Sequence, residues 1–155
     1  MLGRLLPAQA DNRFEGLKAA LWLLGLVIAL KLVMSVRSIL DTRAVAEGAD
    51  GIPLDSFGPA GAREVLMLFA LMALGHLMLE LIALVALIRY RALVPLVYLM
   101  LLGEHVARRL IAWSHGTEST AVALSVNYGL LTLLTLGLAL SLVPRRTEPT
   151  MENGQ

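Results

Sequence analysis

The chain has 155 residues, room for one domain. Hydrophobic residues make up 57% and charged residues 16%, against roughly 45–50% and about 25% in soluble domains. That balance excludes a disordered chain and points away from a soluble enzyme. A net charge of +1 leaves no electrostatic footprint for nucleic acid, and the absence of Cys excludes a disulfide framework, a thiolate zinc site and a cysteine nucleophile. The expected class is all-α: an integral membrane antiparallel four-helix bundle.

A bilayer core needs about 20 apolar residues per helix. Four segments qualify: residues 17–40, 64–88, 92–113 and 121–143. Their long, continuous apolar runs lack the period-two alternation of barrel strands. The first segment carries Lys31 and Arg37 inside it, so it reads as an anchor. Ala44-Val45-Ala46 behind it resembles a small-residue cleavage site, but an anchor is the preferred reading. Residues 41–63 form an acidic outer loop rich in Gly and Pro. The second segment contains His76 and Glu80. A tight turn at residues 89–91 makes segments two and three a hairpin. The third is apolar to Gly103 and then carries Glu104, His105, Arg108 and Arg109. Ser114-His115 ends it, with Gly116 after. The fourth has no charge, and Ser125, Tyr128, Thr132 and Thr135 form a mildly polar stripe expected to meet the other helices. The tail, residues 144–155, reads as disordered.

Basic residues set the orientation. Arg4, Arg13, Lys18, Arg89, Arg91, Arg145 and Arg146 fall on one face, and Arg43 and Arg63 on the acidic other. Both termini are therefore expected in the cytoplasm.

Charges inside a span face the bundle interior. Counting at 1.5 Å per residue places Glu80 about 15 Å from the turn at Tyr90. His76, Glu104, His105, Lys31 and Asn127 fall at about 21–25 Å, in one layer of the outer half. Arg37, Arg108 and Arg109 lie beyond it. Helical spacing puts His76 with Glu80, Glu104 with Arg108, and His105 with Arg109 on shared faces. The candidate site is therefore Glu80, His76, Lys31, Glu104, His105, Arg108 and Asn127.

Three readings of this layer compete. Buried ion pairs fix helix register, with Lys31 neutralising Glu80 or Glu104 and Arg108 neutralising Glu104. The layer handles a ligand, small solute or proton, centred on Glu80. Or His76 and His105, at matching depth, ligate a b-type haem, although adjacent helices bring the rings close for a porphyrin. No metal site is expected: Glu104 and His105 point about 100° apart, and His76 to Glu80 has the wrong order for a carboxylate-bridged centre. No hydrolase elbow, metalloprotease helix or P-loop is present, so no catalytic residue is assigned. Trp22 and Trp113 read as packing residues or interfacial anchors. The bilayer is the primary partner. Gly129 and Gly137 flatten one side of the last span, so a homo-oligomer or another membrane protein is a further partner.

The run Glu80-Leu81-Ile82-Ala83-Leu84-Val85, the short basic turn, Pro95, Tyr98, Arg108-Arg109 and His115 resemble the phosphate-starvation-inducible PsiE family over residues 64–143. Glu104-His105 and His76 depart from that pattern. The resemblance implies a small four-span protein of the bacterial inner membrane, linked to stress and without an assigned reaction. The resulting expectation is a non-enzymatic stress-response or envelope component.

Overall fold

A computed structural model describes residues 5–7, 9–115 and 120–144. Arg4, Gly116, Arg145, Arg146 and the tail assigned to disorder, save Pro144, lie outside those residues. The described residues are all-α, without a strand. Long helices span Lys18–Leu40 (α1), Pro59–Arg89 (α3), Val94–Ser114 (α4) and Ala121–Leu142 (α5). A short helix, Thr42–Gly48 (α2), and a 3-10 turn at Leu54–Ser56 fill the segment between α1 and α3.

The helix ends follow from local chemistry. Pro59 stands in the first turn of α3, where its missing N–H has no partner to lose. That starts α3 five residues before the position expected from hydropathy. Its 31 residues give about 46 Å, longer than a bilayer core. The segment between α1 and α3 is correspondingly shorter and partly helical. Ala46 of α2 is fully buried against Leu54 and Phe69, which ties this segment down as a cap. The Thr120 side chain accepts from the Ala123 N–H and so caps α5. Ser114 and His115 both bond the Ile111 carbonyl as α4 ends.

α1, α3 and α5 are long and apolar enough to cross a membrane, which marks the chain as a membrane protein. α4 is of similar length, but Glu104, Arg108 and Arg109 lower its hydropathy. α1 packs most closely on α3 and α5, and α4 packs on α5. α3 and α4 approach closely only over a short stretch despite the turn that joins them. α1 and α4 therefore face each other diagonally.

The core occupies the half of the molecule near the start of α1. Leu24, Val27 and Ile28 meet Val94, Tyr98, Leu101 and Leu134 there. Tyr98 Oη donates 2.7 Å to the Ala20 carbonyl across that diagonal. Its ring lies on Gly137, where a Cβ would overlap the ring atoms. At this end Leu17 N–H bonds the Leu140 carbonyl, and Ala92 N–H bonds the Asp11 carbonyl. The N-terminal segment, the α3–α4 turn and the end of α5 thus share one end. Thr120 Oγ1 donates to the Ala49 carbonyl at the other end.

The hydroxyl stripe of α5 does not meet the other helices. Ser125, Thr132 and Thr135 are exposed and donate to carbonyls one turn back in their own helix, and Tyr128 is exposed as well. The face that packs is Leu130, Leu134, Gly137 and Ser141. A hydroxyl satisfied by its own backbone carries no net demand for a partner helix. Trp22 and Trp113 both point outward, more than four-fifths exposed, which leaves anchoring rather than core packing.

Candidate functional site: a charge-balanced polar layer

The site begins with Lys31, placed on the buried stripe of α1 with Ala20, Leu24, Val27, Ile28 and Ser35. Its four-carbon stem reaches into the bundle centre, where the ammonium is 3.5 Å from Glu80 Oε1 and 3.4 Å from Glu104 Oε2. One cation thus joins α1 to α3 directly and to α4 across the diagonal. Glu80 is 1% exposed. Its Oε2 accepts from Ser35 Oγ at 2.8 Å. Its Oε1 has no hydrogen bond, so the contact with Lys31 is Coulombic rather than directional.

Glu104 is the hub. Its Oε1 lies 3.0 Å from His76 Nε2 and 3.2 Å from Arg108 Nε, one turn along α4. Arg108 also places Nη2 3.5 Å from His105 Nδ1. His105 is 1% exposed, and its Nε2 lies 3.0 Å from the Asn127 main-chain carbonyl. Asn127 therefore enters through its backbone.

The structure brings all seven candidate residues into one connected cluster. Two cations, Lys31 and Arg108, balance two carboxylates, Glu80 and Glu104. Lys31 serves both carboxylates at once, where sequence reasoning left a choice. Two participants went unnoticed. Ser35 lies four residues after Lys31, hence on its face, and that spacing was the available signal. Asp50 lies outside the spans but near Arg108. Burial raises its carboxyl above the usual range, and Arg108 pulls the other way.

Voids border the cluster on the side of α2. A cavity of about 450 Å³ is lined by Lys31, Ser35, His76, Glu80 and Arg108 under α2, with Ala123 and Asn127 of α5 as a wall. A second cavity of about 870 Å³ lies between the first half of α3 and the last turns of α4, covered by Asp50 to Pro53 and Phe57. Asp50, Phe69, Met72, Arg108 and Asn127 border both.

Neither imidazole offers Nε2 freely. His76 directs it to Glu104 and His105 to Asn127, so bis-His ligation of a haem requires breaking both contacts. His76 borders the cavity of about 450 Å³ whereas His105 does not.

No family model, no curated protein and no solved structure matches the chain. Fold and site together describe an all-α membrane protein with a buried, charge-balanced cluster beside a cavity.

Proposed function

We propose that the chain is a non-enzymatic, multi-pass membrane protein that senses a small ligand or proton at its polar layer. In this reading it is an antiparallel four-helix bundle of the bacterial inner membrane with both termini cytoplasmic, a stress-response or envelope component of PsiE-like character. The observation that carries it is the cavity of about 450 Å³ against Lys31, His76, Glu80 and Arg108. A network that only fixed register would gain from close packing, since an unfilled void costs stability. This one has a chamber beside it.

Other features support the reading. α4 qualifies as a fourth span once Glu104 is turned inward onto Lys31, His76 and Arg108, because paired charges are tolerated inside a bundle. Its 21 residues give about 32 Å. Arg13, Lys18, Arg89 and Arg91 belong to the end defined by the Leu17–Leu140 and Asp11–Ala92 bonds, the basic end expected inside. Passage through the protein needs a second opening. Leu24, Val27, Ile28, Tyr98, Leu101 and Leu134 fill the route to the basic end, which favours sensing over transport.

The sequence contains no Cys, so single-cysteine variants report without background. In intact spheroplasts, Ser56→Cys should react with an impermeant thiol reagent, and Arg91→Cys only after permeabilisation. Ala123→Cys, on the cavity wall, should react with a small water-soluble methanethiosulfonate from the outside. Leu134→Cys, in the core, should stay unmodified. Protection of Ala123→Cys in the folded protein would identify the layer as a sealed register lock and end the sensing proposal.

A further inference from the structure

The cavity of about 450 Å³ joins two chemistries. The charges of the polar layer that border it are already engaged: Lys31 pairs with Glu80, and Lys31 and Arg108 pair with Glu104 behind it. Arg37 and Asp50, of opposite sign, complete the charged lining among the described residues. Much of the remaining wall is apolar and includes Phe69 and Met72 of α3. α5 adds a polar group from outside the ionic network. Ala123, Asn127 and Leu130 follow i, i+4, i+7 spacing and so share the helix face that lines the cavity. The Asn127 carbonyl is taken by His105, but its half-buried side-chain amide has no hydrogen bond among the described residues. Phe69, Met72 and Asn127 also border the larger cavity, so the three lie together where the two voids adjoin.

We infer that this cavity binds an uncharged aromatic molecule bearing a hydroxyl group, a phenol, with its ring against Phe69 and Met72 and its hydroxyl on the Asn127 amide. The volume lies in the range of small-molecule pockets, roughly 300–1,000 Å³, which combine mostly apolar walls with a few placed polar groups. A methionine sulfur packs favourably against the edge of an aromatic ring. An amide both donates and accepts, so it serves a hydroxyl in either sense. A charged ligand would bring an unmatched charge against a set of ion pairs that already balance, at the cost of its own desolvation. A hydrocarbon would exclude water from the Asn127 amide and give it no partner in return. The inference rests on the sensing reading above and names the ligand class of that site.

The test uses the full chain in nanodiscs and reads the rate at which a methanethiosulfonate modifies Ala123→Cys, one turn from Asn127. Phenol should slow that reaction, and anisole, which has the ring without the donor, should need about fivefold more to match it, the worth of one neutral hydrogen bond. Asn127→Leu keeps the main-chain carbonyl for His105 and should abolish the preference for phenol. Ser56→Cys, exposed and outside the cavity, should react at one rate with and without phenol. Equal protection by phenol and anisole would overturn the inference, and that comparison stands whether or not Asn127→Leu folds. A preference that survives Asn127→Leu in a folded variant would overturn it as well. Stronger protection by benzoate or benzylammonium than by phenol would make this a site for charged ligands and overturn the assignment. Normal reaction of Ala123→Cys that phenol does not slow would end this inference alone. An Ala123→Cys that no reagent reaches would end the sensing proposal and this inference with it.

Discussion

Removing the Lys31 ammonium tests whether the cluster is a single electrostatic unit. In Lys31→Met, Glu80 loses the one cation within ion-pair distance among the described residues, whereas Glu104 keeps His76 and Arg108. The cluster passes from balanced to a net charge of −1. A carboxylate left without a cation at 1% exposure bears its desolvation cost uncompensated. Removing one partner of a buried pair costs roughly 3–5 kcal/mol. Lys31→Met should therefore unfold about 3–5 kcal/mol more easily. Lys31→Met with Glu80→Gln restores neutrality, keeps an acceptor for Ser35, and should recover most of the loss. Equilibrium unfolding in bicelles measures all three proteins. A double variant no more stable than Lys31→Met would refute the charge-balance argument.

Other consequences are equally direct. Gly137→Ala should cost roughly 1–3 kcal/mol by thermal unfolding, because its Cβ meets the Tyr98 ring, and Tyr98→Leu should absorb most of that penalty. Thr132→Val and Ser125→Ala should each change stability by less than about 0.5 kcal/mol, since both hydroxyls serve their own helix on an exposed face. Asp50 is held above its ordinary value of 3.8, so just above that pH the fold keeps a proton that the unfolded chain has lost. Stability should fall as pH rises through that window, and Asp50→Asn should flatten the slope in Tm measured against pH.

The depth of each charge was legible in the sequence and its direction was not. Helices advance by a constant rise, so counting from the Tyr90 turn placed His76, Glu104 and His105 at one level. Rotation about the axis is a different matter. In a soluble helix a polar face marks the outside, but in lipid the outward face is as apolar as the core. Leu130 and Leu134 on the packed side of α5 therefore look like Val122 and Leu136 on the open side. The hydroxyl stripe misled for the same reason, because its groups were already bonded at home. Lys31, Glu80 and His105 escaped that ambiguity, since burial in lipid allows a charged or polar group few directions other than inward. The chambers were illegible because they depend on how far α3 and α4 diverge, a tertiary distance with no local signature.

The diagonal reach of Lys31 bears on how the chain enters a bilayer. Glu104, Arg108 and Arg109 would each cost roughly 2.5–3.5 kcal/mol at the centre of an isolated helix, which α4 cannot offset alone with its interrupted apolar run. In the four-span reading proposed above, α1 and α3 precede α4 into the bilayer and carry Lys31 and His76 to the depth where Glu104 arrives. The earlier helices act as a receptor for the later one. Order of synthesis thus becomes part of the information that specifies the fold, and a circular permutant that presents α4 first should be rejected at the translocon although every contact of the finished bundle remains available to it.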